Sequence, residues 1–179
     1  MALGATICKA ELNIIDMDRN YYETHFLTIA RHPSEKEDRF MLRLLVFALH
    51  ASESLAFTKG LSTDNEPDLW QKDLTNDIAL WIDLGLPSEK RIRKACGRSK
   101  NVIIYIYGDG SVHLWWKQIS SQLARFKNLI IYQINSDDLN RLKQFFQRNI
   151  SVQVSIQDNE VTWRCEKGEV SLAPIPMIL

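Results

Sequence analysis

A chain of 179 residues with 45% apolar residues is long enough to bury a substantial core as a single compact domain, residues 1–179. Its 22 Lys and Arg balance 22 Asp and Glu, which excludes a globally charged nucleic-acid or lipid binder and leaves such contacts to local patches. The N-terminus lacks the basic start and apolar core of a signal peptide, and no apolar run nears the ~18 residues of a membrane span, so a cytoplasmic location without membrane contact is expected.

Two β-rich stretches, Ala5 to Ile15 and Tyr22 to Arg31, flank the polar segment 16–20 and predict an N-terminal hairpin. Ser34 followed three residues later by Glu37 has the pattern of a capping box and predicts a long helix to about Phe57, with Met41, Leu44, Leu45 and Ala48 on its buried face. After a polar link from Gly60 to Glu66, short strands at 68–72 and 78–84 surround a Thr75-Asn76-Asp77 turn and predict a second hairpin. Gly85 and Pro87 end that strand, Ser88 caps a helix through about Cys96, and Gly97 is the expected terminator. The unbroken apolar run Val102 to Tyr107 reads as a central strand covered on both faces.

Beyond it, a helix is expected from Ser111 to about Phe126, a strand at 129–134 and a helix from Asp137 to about Arg148. Strands at 150–157, 161–165 and 170–172 complete a β-rich tail. Cys8, Cys96 and Cys165 are scattered without zinc or disulfide spacing and read as reduced packing residues. The four histidines, His25, His32, His50 and His113, have no ligand spacing either.

Chemistry concentrates in Glu66-Pro67-Asp68-Leu69-Trp70 and Leu80-Trp81-Ile82-Asp83. In a hairpin, Asp68 at the start of one strand and Asp83 at the end of the next converge, and such a carboxylate pair suits magnesium or manganese, with water and phosphate filling the other positions. A neighbouring lysine would then stabilise charge on a phosphodiester while the metal activates water. The plainer alternative makes Asp68 a turn cap and Asp83 a solvent-facing strand end. Asp83 is the more informative of the two, because a carboxylate buried in an apolar run needs a partner or an ion. Five basic residues between Lys90 and Arg98 form the one dense positive cluster, with Lys90, Arg91 and Lys94 sharing a helical face. Trp70, Trp81, Trp115 and Trp116 could stack on bases, although packing explains them as well.

Taken with Ala30-Arg31-His32-Pro33-Ser34-Glu35, Arg43-Leu44-Leu45, Gly60-Leu61-Ser62-Thr63 and Arg91-Ile92-Arg93-Lys94-Ala95, these segments make the chain resemble the YaeQ proteins of proteobacteria from end to end. The resemblance implies a mixed α and β fold similar to a variant of the PD-(D/E)xK nucleases. That fold has a restriction-endonuclease-like core, a central mixed sheet flanked by helices, and extra N- and C-terminal strands. It also implies metal carboxylates at Asp68 and Asp83. The lysine expected two residues after the second acid is replaced by Gly85, so the implied catalytic lysine is Lys94, with Arg91 and Lys90 for phosphate and Glu66 and Glu37 as further candidate acids. Two functions follow as expectations. One is a metal-dependent, nuclease-like protein acting on nucleic-acid phosphodiesters. The other is a non-catalytic protein that keeps the scaffold and binds nucleic acid or a protein partner.

Overall fold

In the computed structural model, residues 4–59 and 64–179 are described; the family segment Gly60-Leu61-Ser62-Thr63 lies outside them. Two compact units result, one from Met1–Ala51 with Asp137–Pro174 and the other from Ser52–Ser136 with Ile175–Leu179. Each holds a mixed sheet, where the sequence predicts one central sheet with added strands.

The first unit is organised by the hairpin β1 (Thr6–Asp16) and β2 (Tyr21–Arg31), which pair antiparallel without a register shift. Along β1 the even positions Cys8, Ala10, Leu12 and Ile14 are buried and the odd ones are turned outward, the period expected of a half-covered sheet. β8 (Asn149–Gln157) lies parallel to β1 and carries β9 (Glu160–Cys165) and β10 (Gly168–Leu172), giving the order β10-β9-β8-β1-β2. The Lys9 amide donates to the Arg148 carbonyl at 2.8 Å, so odd residues of β1 face β8 and even ones face β2. By the same alternation Ala30, opposite Ile7, turns its carbonyl to the open edge of β2, where Arg43 Nη2 donates to it at 2.9 Å.

Helix α1 (Glu37–His50) is buried nearly all round, from Phe40 through Ala48. Phe47 meets the ring of His25 edge-on at 5.1 Å, and Phe40 meets Phe146 at 5.6 Å. The expected capping box does not form: the N-cap is Lys36, and the Ser34 hydroxyl pairs instead with His32 Nδ1 at 2.6 Å. Nor does the helix reach Phe57. It stops at His50, where Arg19 donates to the carbonyls of Ala51 and Ala48 at 3.0 and 3.5 Å and so satisfies its last turn. Ser52 then accepts the Leu55 amide and starts the short strand β3 (Leu55–Phe57).

His50, at that helix end, is held neutral: burial, and then the positive charge of Arg19, lower its pKa to about 4, against the opposing pull of Asp16. A folded-state value below the unfolded one means that the stabilisation is complete above about pH 6.5 and is lost as pH falls through the folded value. The loss is about 3 kcal/mol by pH 4, at 1.36 kcal/mol per unit. Urea titrations at pH 7 and pH 4 should show it, and His50→Gln should remove most of that difference.

In the second unit β4 (Leu69–Lys72) and β5 (Ile78–Leu84) form the predicted hairpin. Its turn is tied by Asp73, whose carboxylate accepts the Thr75 and Asp77 amides and pairs with Lys100 at 2.6 Å. β6 (Ser99–Ile106) lies parallel to β5, with Val102 through Ile106 buried as the apolar run requires. β7 (Leu129–Gln133) and β11 (Ile175–Pro176) extend the order to β11-β7-β6-β5-β4-β3. Helix α2 (Glu89–Arg98) is capped by Ser88, as expected, but runs on through Gly97. Helix α3 (Ser111–Leu123) and α4 (Ser136–Lys143) end earlier than their apolar spacing suggests. Trp115 and Trp116 pack half-buried against the core, and Trp115 Nε1 donates to the Pro87 carbonyl at 2.9 Å, so packing accounts for both. The three cysteines are free thiols, and burial pushes Cys96 up to about 11.

Candidate functional site

The β4–β5 hairpin does what its sequence promises. The Asp68 amide donates to the Ile82 carbonyl at 3.0 Å, and the Asp68 carboxylate accepts the Leu84 amide at 2.8 Å. Those two partners bracket Asp83, so both acids stand at one end of the hairpin. Both are buried, Asp68 4% and Asp83 2% exposed, so Asp83 is not the solvent-facing strand end of the plainer alternative.

Asp83 has the partner that its burial demands. Arg91 donates Nε to Oδ2 and Nη2 to Oδ1, both at 2.8 Å, a bidentate fork on one carboxylate. The hydrogen bond to Asp83, followed by the charges of Asp83, Asp68 and Asp64, holds the guanidinium pKa above its ordinary value despite desolvation. Nη2 also donates to the Glu66 carbonyl at 2.9 Å, which ties α2 to the segment preceding β4. The sequence singles out Lys94 for the position beside the acids, yet Arg91 takes it. Arg91 opens onto β5 one turn into α2, whereas Lys94 Nζ reaches the Asn65 side chain. Arg98 donates to the Asn65 carbonyl at 2.9 Å and lies 5.7 Å from the Trp81 ring centre.

Lys90 and Arg93 are exposed on α2. Glu66 is half-buried and contributes a carbonyl to Arg91, while Glu37 lies in the first turn of α1, in the first unit. Gly85 has φ of +102°, a backbone conformation that a lysine would adopt only with strain, and its amide donates to the Tyr105 carbonyl at 2.9 Å. The backbone therefore explains why no lysine stands two residues after Asp83. Asn65 is the residue that sequence reasoning missed; as a polar loop residue it carried no signal beyond its nearness to Glu66.

Family comparison agrees with the segments that carry the resemblance. The YaeQ protein family matches residues 1–174. The chain belongs to the YaeQ family. Among YaeQ relatives, the "Uncharacterized protein YaeQ" of Salmonella typhi is 44% identical over 161 residues, 90% of this chain and 89% of that protein. The protein of the same name from Escherichia coli (strain K12) is 43% identical over 172 residues, 96% of this chain and 95% of that one. The crystal structure of the YaeQ protein from Xanthomonas axonopodis pv. citri superposes with a TM-score of 0.93 at 46% identity, covering 96% of this chain and 97% of that one. The YaeQ protein from Pseudomonas syringae gives a TM-score of 0.93 at 33% identity, covering 98% and 97%. The two mixed sheets are thus a YaeQ arrangement.

Whether this YaeQ site suits a resident divalent cation is decided by its donors. Both oxygens of Asp83 are held by Arg91, one oxygen of Asp68 is held by a backbone amide, and no group of three or more His, Cys, Asp or Glu side chains comes together among the described residues. The guanidinium takes one lone pair on each Asp83 oxygen, and a cation on the remaining ones would face its positive charge close by. With the guanidinium in place, Asp68 and Asp83 do not fit magnesium or manganese. No helix among the described residues is long and apolar enough to cross a membrane.

Proposed function

We propose that this YaeQ chain is a non-catalytic binding protein on a PD-(D/E)xK-like scaffold, taking nucleic-acid phosphodiesters on the cationic face of α2. The observation that carries this reading is the bidentate Asp83–Arg91 pair. It uses for packing the carboxylate that a nuclease would give to a metal. The same pair holds α2 in place, so that Lys90 and Arg93 stand exposed beside Lys94 in an otherwise neutral molecule. Phosphate contacts of this kind bind without reading sequence and weaken with salt.

Fluorescence anisotropy with labelled 20-mers of single-stranded DNA, duplex DNA and RNA, taken from 50 to 200 mM salt, tests it. The duplex should show a negative slope of log affinity against log salt, shallower by about 2 in Lys90→Ala/Arg93→Ala because each lost contact removes about 0.9. Salt-independent binding, or none, would overturn the reading. The convergence of Asp68 and Asp83 favours a second reading, a metal-dependent phosphodiesterase in which Arg91 gives way and Lys94 approaches. Calorimetric titration of manganese and magnesium separates the two. Flat heats are expected for wild type, whereas saturable binding abolished by Asp83→Asn would replace the first reading with the second.

A further inference from the structure

The first unit contains a concentration of arginines that neither of these functions uses. Glu35, 3% exposed, spends Oε1 on Arg39 Nη1 at 3.1 Å and Oε2 on Arg43 Nη2 at 3.0 Å. Arg31 therefore reaches only the main chain of Glu35, donating Nε to its carbonyl at 3.0 Å. Its guanidinium lies over the Phe146 ring at 5.0 Å, and that of Arg43 lies over Phe40 at 5.4 Å. With Phe40 and Phe146 edge to face, the two aromatic rings hold the two cations in fixed orientations. Arg148 stands exposed directly before β8, and its carbonyl accepts the Lys9 amide of β1 at 2.8 Å, while Arg31 pairs with Thr6 on the other side of the same strand, so the two arginines flank the start of β1.

The local balance is positive. Arg31, Lys36, Arg39, Arg43 and Arg148 give five cations against Glu35, Glu37 and Asp38, an excess of two in a protein whose total is zero. The N-terminus of α1 opens at the same place, its N-cap Lys36 gives no side-chain cap, and its dipole adds positive potential. Planar guanidiniums with fixed orientation, in a positive field and without enough carboxylate to share, match the oxyanions of a phosphate group.

We propose that Arg31 and Arg148, oriented by Phe146 and by the Glu35–Arg43 pair, form a phosphate-binding site on the first unit, separate from the α2 face. The ligand presents a terminal phosphate or a diester backbone, two sources of one chemistry. Arg31 grips through its Nη groups, which have no acceptor among the described residues, and Arg148 closes from β8.

The test uses the full chain carrying Lys90→Ala/Arg93→Ala, which weakens the α2 face, and titrates inorganic pyrophosphate and an unphosphorylated ten-nucleotide oligonucleotide in parallel by calorimetry at low salt. Saturable pyrophosphate binding assigns a terminal phosphate, and oligonucleotide binding alone assigns a backbone. Either should weaken about 10-fold or more when Arg31→Ala/Arg148→Ala is added, the range for lost charge-assisted hydrogen bonds. Circular dichroism confirms folding, and if the alanine variant is unfolded, Arg31→Lys/Arg148→Lys serves in its place, keeping the charge but losing the fork, with weaker binding than the parent. No saturable binding of either probe, or equal binding by the arginine-substituted protein, would overturn the site whatever the α2 face does.

Discussion

Arg91→Met should destabilise the second unit by about 3 kcal/mol, because it strands a carboxylate in the interior. Asp83 is 2% exposed and Arg91 supplies both of its side-chain donors, so nothing else in the described structure is bonded to neutralise it. The figure sits at the low end of the range for broken buried pairs because the arginine side chain is itself 26% exposed and water can relax around the site. Asp83→Asn/Arg91→Met should cost less than the sum of the single changes, since removing both charges leaves no unpaired ion. Urea unfolding followed by tryptophan fluorescence reads this directly, as Trp70, Trp81, Trp115 and Trp116 all belong to the second unit. A loss under about 0.5 kcal/mol for Arg91→Met, the level of an exposed pair, would show that the ion pair is solvated and would remove the main support for a non-catalytic role.

The second large effect belongs to Glu35. Glu35→Ala should cost about 3–5 kcal/mol, because Arg43, whose side chain is 4% exposed, then keeps its charge without its carboxylate. Arg43→Met should come next: Glu35 retains Arg39, but the open edge of β2 loses the donor on the Ala30 carbonyl. Arg39→Ala should cost the least of the three, since Arg43 still holds Glu35 and no buried charge is left without a partner. Far-UV circular dichroism in urea gives the ranking. Equal small losses for all three would mean that the cluster is a surface network rather than a buried anchor, and the fixed orientation assumed for Arg31 would fall with it.

The two ion pairs differ in how visible they are along the chain. Asp83 announces itself, because a carboxylate inside Ile78–Leu84 violates an apolar pattern and demands compensation. Glu35 does not, since it sits among polar residues between β2 and α1, where nothing local marks it as buried. Its burial follows from where Arg43 lies on α1 and from the open edge of β2, both products of packing.

Local pattern by itself determined the elements whose signal is complete within a dozen residues. These are the period-two burial of β1, the turn between β4 and β5 that brings Asp68 beside Asp83, the Ser88 cap of α2 and the doubly covered β6. A strand's faces and a hairpin's ends are fixed by the backbone period and the turn, so sequence suffices for them. Tertiary structure decided which distant strands pair and which side chain completes a charge. The parallel partner of β1 is β8, more than a hundred residues away, and that pairing separates the N-terminal hairpin from the second sheet. The choice of Arg91 over Lys94 was settled the same way: both share a face of α2, and only the way the helix packs on β5 brings one guanidinium fork within 2.8 Å of Asp83.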